Sequence, residues 1–127
     1  MAVTFAGQNF LFAKGIIPGG ADMAVLTGTA IDQISARSGD WQRFTSSFIL
    51  DQVTWSNLLA SAPIVSLAAI AAEEGHETNA GWAVDQTELD LVGGHIQLTC
   101  NLAVRGVGSL IRLSYQVTAF GHITGTA

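Results

Sequence analysis

Apolar and polar residues alternate with a period of two through the last third of the chain, in three runs joined by glycine-bearing turns. The first run, Thr87 to Leu91, gives way at Val92-Gly93-Gly94-His95 to a second, Ile96 to Val104. That run yields at Arg105-Gly106-Val107-Gly108-Ser109 to a third, Leu110 to Phe120. In the middle run Ile96, Leu98, Cys100, Leu102 and Val104 share one face, and Gln97, Thr99, Asn101 and Ala103 share the other. In the last run Ile111, Leu113, Tyr115, Val117 and Ala119 oppose Arg112, Ser114, Gln116 and Thr118. Such alternation predicts half-buried antiparallel strands in a β-meander.

The earlier segments fit the same architecture. Val3 to Phe12 carries Phe5, Phe10 and Phe12 and leads into Ile16-Ile17-Pro18-Gly19-Gly20, a strand entering a proline and glycine turn. Met23 to Ile34 is a strand interrupted at Gly28, and Arg37-Ser38-Gly39-Asp40 is a turn into Trp41 to Leu50. There Phe44, Phe48 and Leu50 share a face with Gln42 and Ser46. A loop then runs to Ala62-Pro63. Ile64 to Ala71 is apolar on both faces, which predicts a central strand covered on both sides. Its alanines would suit a helix, but Pro63 and the β-branched start favour the strand. Glu73 to Gly81 is polar and predicts a loop. Short strands with turns every ten or so residues predict one all-β domain, an antiparallel β-sandwich of about six to eight strands.

Composition adds a statement about surroundings. Charged residues make up 12% of the 127 residues, against a typical ~25% for soluble domains. A surface this short of charge is expected to face other protein, as a homo-oligomer or within a larger assembly. The net charge is -5, and Lys14, Arg37, Arg43, Arg105 and Arg112 are scattered, so no footprint for phosphate neutralisation exists and nucleic acid is not an expected partner. Met1-Ala2-Val3-Thr4-Phe5 has neither the basic nor the apolar segment of a secretory signal. Ala62 to Ala72, the richest apolar run, is shorter than the ~20 residues of a membrane span. The expected setting is a virion or the extracellular space, reached without a classical signal.

Candidate chemistry is sparse. Glu73-Glu74-Gly75-His76-Glu77 could offer oxygen and nitrogen ligands to a divalent cation, but it matches no spaced ligand motif and reads as an acidic surface loop. Gly93-Gly94 precedes no helix and reads as a hairpin turn, not a phosphate loop. His76, His95 and His122 with Cys100 would need the fold to gather them into a metal site. Cys100 falls on an apolar face and is expected to be a small buried hydrophobe. No serine, histidine and acid stand in a recognisable nucleophilic context. No catalytic residue, metal or cofactor is assigned, and an enzyme is the least supported class.

From Trp41 onward the order of segments carries a resemblance. A strand led by Trp41 is followed by Ala62-Pro63 before Ile64-Val65-Ser66-Leu67, a polar loop, Trp82 to Leu91, a turn, Ile96 to Cys100, a short turn and Leu110 to Phe120. Over roughly residues 39 to 121 this resembles the H-type lectins, the snail and slime-mould agglutinins specific for N-acetylgalactosamine. The shared motif is one of spacing and hydrophobicity. It implies a small antiparallel sandwich assembled as a homotrimer or a pair of trimers.

In those lectins the sugar is gripped by an arginine on the strand after the polar loop and by an aromatic with a polar residue in the turn before the last strand. Here the strand from Trp82 has no arginine, and the turn reads Ala103-Val104-Arg105-Gly106, with no stacking aromatic beside Arg105 in the sequence. A surviving sugar site would be expected at Asp40, Trp82, Asp85 and Arg105. Against that, Trp41 and Trp82 are expected as core or interface anchors, Asp40 as a turn cap, and Arg105 as one half of an ion pair across a subunit boundary. Residues 1–38 are expected as extra strands or an arm packing on a neighbour. Two functions are thus in view. One is a non-catalytic structural or attachment protein of a virus particle, of the phage kind, homotrimeric and with glycan affinity. The other is a free-standing lectin for galactose-type sugars.

Overall fold

The computed structural model describes residues 4–72 and 81–126. The elements are all β-strands: β1 (Thr4–Ile17), β2 (Ala21–Leu50), β3 (Val53–Ala72), β4 (Gly81–Val92) and β5 (His95–Thr126). β2 and β5 are long because each serves two antiparallel sheets. In the first half of β2, Asp22 to Gln33 pairs with Gly121 to Leu110 of β5, and this pair lies between β1 and β3 in the order β1-β2-β5-β3. In the second half, Gln42 to Leu50 pairs with Val104 to Ile96, and β4 lies on the other side of β5. One sheet thus has four strand segments and the other three.

Turns are expected at Arg37 to Asp40 and at Arg105 to Ser109, and the structure corrects both. The strands run through these segments side by side, with Arg37 opposite Val107 and Ser38 opposite Gly106. Register shifts flank the passage, between Gln33 and Ala36 and between Ser38 and Gln42. Gly106 sits at φ 104, where a side chain would be strained. The glycines therefore bend a continuous strand pair from one sheet into the other instead of reversing the chain. The reversals expected at Pro18-Gly19-Gly20 and at Gly93-Gly94 are present, with positive φ at each of these glycines.

The alternation read from the sequence is the alternation of burial. Ile96, Leu98, Cys100, Leu102 and Val104 are buried from the three-stranded sheet, and Leu113, Tyr115, Val117 and Ala119 from the four-stranded one. They join Leu26, Leu50 and Trp55 in one core cluster. Phe48 ties the layers together, its ring centroid 5.6 Å from that of Tyr115 and 5.8 Å from that of Phe5. The first forty residues supply β1 and the first half of β2, and Phe5 and Phe10 pack against the core.

The expectation of a central strand at Ile64 to Ala71 is also corrected. β3 is an edge strand paired only with β5 among the described strands, and it starts at Val53, directly after a turn at Asp51-Gln52. An edge tolerates Pro63, which has no N–H to give a second neighbour. Ile64 points away from the core and is 62% exposed.

At one end of the four-stranded sheet the buried Asp22 carboxylate clasps three strands. Its Oδ1 accepts from the Gly15 amide of β1 at 2.7 Å and its Oδ2 from the Ile123 amide of β5 at 2.8 Å. Lys14 Nζ lies 3.7 Å from Oδ2 and donates to the Ile123 carbonyl at 2.9 Å. The two amides, seconded by Lys14, hold the Asp22 carboxyl below its ordinary value.

The outward faces of the two sheets differ. On the four-stranded sheet the outward rungs from Met23 and Phe120 through Val25 and Thr118, then Thr27 and Gln116, to Thr29 and Ser114 carry no charge. β1 and β3 extend these rungs with Ala13, Leu11, Asn9 and Gly7 on one side and with Ala60, Ala62, Ile64 and Ser66 on the other. The three-stranded sheet presents Arg43, Arg105, Asp85, Glu88 and Asp90.

A depressed folded-state pKa contributes stability that is present above the ordinary carboxylate range and lost as pH falls through the folded value. Urea unfolding followed from about pH 6 down through the ordinary carboxylate range to about pH 2 is therefore expected to show an acid loss that Asp22→Asn flattens, with the variant already weaker at the upper end. A Cβ at Gly28 would stand 2.5 Å from the Gly7 carbonyl oxygen and 2.5 Å from the Tyr115 hydroxyl. Gly28→Ala is expected to lower unfolding free energy by roughly 1–3 kcal/mol through overpacking, read from the urea midpoint.

Candidate functional site

Strand parity builds a polar strip on the outer face of the three-stranded sheet. Trp41, Arg43, Thr45 and Ser47 of β2 stand beside Arg105, Ala103, Asn101 and Thr99 of β5. Gly81, Ala83, Gln86 and Glu88 of β4 complete the rungs. Thr45 Oγ1 donates to Asn101 Oδ1 at 3.0 Å, the Ser47 and Thr99 hydroxyls are 2.8 Å apart, and Gln86 Nε2 donates to Glu88 Oε1 at 3.0 Å.

Asp85 reaches the strip through a β-bulge. It is the extra residue between the Val84–Leu102 and Gln86–Asn101 pairs, and a bulge of this kind re-aims a side chain. Arg43 Nη1 donates to Asp85 Oδ2, so the ion pair bridges β2 and β4 over the central strand. The Arg43 side chain is 75% exposed. A pair this open to water adds at most about 1 kcal/mol to stability, so its main effect is to fix one donor and one acceptor in place.

Trp41 lies at the end of the strip nearest the bend. Its side chain is 52% exposed, and the Arg105 guanidinium carbon lies 5.5 Å from its ring centroid. The ring extends across β5 to β4, where a Cβ on Gly81 would stand 3.1 Å from Trp41 Cη2 and 3.3 Å from Arg105. Glycine at this position leaves room for both side chains to lie together. A depression of about 250 Å³ is lined by Trp41, Arg43, Ala83, Asp85 and Ala103. A second, of about 420 Å³, continues past the ion pair between Thr45, Gln86 and Asn101.

The arrangement pairs a flat apolar surface with directed polar groups. An indole face favours polarised C–H groups. Arg43 offers donors and Asp85 acceptors at its edge. The methyls of Ala83 and Ala103 keep the floor low, so a ring could rest beside the indole and present its hydroxyls to the ion pair.

Two of the sequence-predicted residues, Asp85 and Arg105, are brought to this strip. Asp40 is exposed just before Trp41 and lines neither depression. Trp82 pairs with Val104 in the ladder, and its side chain lies outside the described residues. Arg105 does have an aromatic beside it, supplied by β2, and Trp41 is not a core residue. Trp41 and Arg43 are not among the expected sugar-site residues although the signal is present: they share the parity of Thr45 and Ser47, opposite the Phe44 and Phe48 face.

The remaining candidates are dispersed. Burial pushes the Cys100 thiol up to about 11, against a weaker downward pull from the Thr87 side chain, which closes it as a nucleophile or ligand near neutral pH. His95 Nδ1 lies 3.3 Å from the Val53 carbonyl, while His122 Nδ1 donates to Asn57 Oδ1 at 2.6 Å. Among the described residues no three His, Cys, Asp or Glu side chains gather as a metal site. Glu73 to Glu77, including His76, lie outside the described residues. No protein-family model, no curated protein and no solved structure matches the chain.

If Arg105 steadies the indole, Arg105→Ala is expected to cost no more than about 1 kcal/mol in urea unfolding. It is expected at the same time to raise acrylamide quenching of Trp41, measured as the difference from the same change in a Trp41→Phe background.

Proposed function

We propose that this protein is a non-catalytic attachment protein of a virus particle, of the phage kind, which grips galactose-type sugars with the outer face of its three-stranded sheet. The observation that carries the sugar reading is the half-exposed Trp41 ring, backed by Arg105 and flanked by the Arg43–Asp85 pair over an alanine floor. A pyranose has one apolar face and a rim of hydroxyls, which such a strip matches. Glycoside cleavage ordinarily takes a pair of carboxylates. Among the described residues lining the two depressions Asp85 is the one carboxylate, and it is engaged by Arg43. The strip is therefore suited to holding sugar, not to cutting it.

The low charge, 12% of residues, supports the setting in an assembled particle, with copies of the chain as its first partners. The resemblance to H-type lectins supports a homotrimer or a pair of trimers, whose repeated sites would turn weak single contacts into avidity. A free-standing lectin is the second reading. It is favoured by the Trp41–Arg105 contact, which sets an aromatic beside an arginine, though on other strands than those the resemblance calls for.

An array of galactose and N-acetylgalactosamine glycans is expected to bind the intact protein. Trp41→Ala is expected to weaken that binding by about 2 kcal/mol or more, roughly thirtyfold in Kd, with native mass and circular dichroism unchanged. Equal binding by Trp41→Ala, or a blank array from the folded protein, would remove the sugar reading. Recovery of the chain in purified particles decides for the attachment protein over the free lectin.

A further inference from the structure

The outward face of the four-stranded sheet poses a separate question. The four outward rungs between the Met23–Phe120 pair and the Thr29–Ser114 pair carry no charged side chain on any of their strands. The chain as a whole carries fifteen Asp, Glu, Lys and Arg residues, from ten acidic and five basic. Leu11 and Ile64 flank this face and are 76% and 62% exposed. The next outward rung carries Arg112, which ends the neutral zone.

We infer that this face packs against the same face of a second copy of the chain. Charge selects the occupant. A neutral face has no group to pair with the charges of an acidic or basic partner, which would be stripped of water without compensation. A second copy meets it with an equally neutral surface, although each chain carries a net charge of -5. In a two-fold contact each residue of the patch contacts its counterpart region, and the two Arg112 side chains fall at opposite ends, so like charges do not meet.

The size is adequate. Strands about 4.8 Å apart and outward rungs about 6.6 Å apart give a four-by-four patch a flat footprint on the order of 500 Å². Two such faces together reach on the order of 1,000 Å², the lower bound of a specific interface. The composition suits a sheet-on-sheet contact: Met23, Val25 and Phe120 at one end, and the hydroxyls of Thr27, Thr29 and Ser114 at the other. The Trp41 strip is on the other sheet, so the contact leaves it open to ligand.

A two-fold contact joins copies in even number, as a dimer or as the joining of two trimers. Sedimentation equilibrium at tens of micromolar protein is expected to give an even multiple of 13.3 kDa. Ile64→Glu, which alters a side chain already exposed in the single chain, is expected to halve that mass while the circular dichroism stays native. A Leu11→Glu variant repeats the test on the other flank. Val92→Glu, exposed at the hairpin end of the opposite sheet and outside both depressions, is expected to leave the mass unchanged. A monomer, an odd multiple, or an even mass that survives both flank substitutions would overturn the inference. Sugar binding is read separately on the same variants, so failure of the contact and failure of the sugar site are distinguishable.

Discussion

The structure depends on one constraint: β2 and β5 remain hydrogen-bonded to each other while they bend from one sheet into the other. A strand that only turned back would leave two sheets joined by loops. A strand pair that bends keeps the register of one sheet tied to the register of the other. Because side chains alternate strictly, one register error at the bend would send every inward residue of the second sheet to the solvent. The register shifts that flank the bend, and Gly106 at its positive φ, are where this parity is set. The core then follows, with Leu98 and Leu102 from before the bend of β5 and Leu113 and Val117 from after it in one cluster.

The same bend locates the candidate site. Trp41 is the residue that leads β2 out of the bend, and Arg105 is the residue by which β5 enters it. Their proximity is a consequence of the paired bend, not of sequence nearness, since they are far apart in the chain. Stability comes from elsewhere. A surface ion pair and an exposed cation–π contact each add on the order of 1 kcal/mol or less, whereas burying one large aliphatic side chain adds about 1.5–3 kcal/mol. Residues whose removal would hardly destabilise the fold are nonetheless held in a fixed arrangement, which is what the proposed sugar contact would use.

Much of this fold was legible in the sequence, and the limits have physical reasons. Period-two alternation predicted the buried faces from Ile96 to Val104 and from Leu113 to Ala119, because burial on one side of a sheet leaves that imprint. The segments at Arg37 to Asp40 and Arg105 to Ser109 were misread as turns. Glycine marks both chain reversal and strand bending, and composition alone cannot separate the two. The apolar Ile64 to Ala71 run was taken for a central strand because hydrophobicity on both faces signals cover on both faces; within the single chain that cover is absent at Ile64. Asp85 and Arg105 were recognised as polar residues worth placing, but their partners were not. Arg43 lies on another strand, and a bulge aims Asp85 at it. Residue type alone makes Trp41 a core or interface anchor, and its parity with Arg43 and Thr45 excludes the core by putting it on the polar face.

Under the inferred contact between copies, the exposure of Ile64 and the shortage of charge have one origin. A sheet face that meets water is ordinarily given charged side chains, both for solubility and to deter edge and face association. This chain keeps Arg43, Arg105, Asp85, Glu88 and Asp90 on one outer sheet face and leaves the other neutral over four rungs. If charge were merely scarce, the neutral positions would be spread over both faces. Their segregation is what the proposed sugar face and the inferred contact between copies would require of the two faces. The charged one suits exchangeable polar ligands, since its side chains gain from staying in contact with water. The neutral one has no charge to be stripped of water, and its hydroxyls and amides can pair with those of an identical face in the inferred contact.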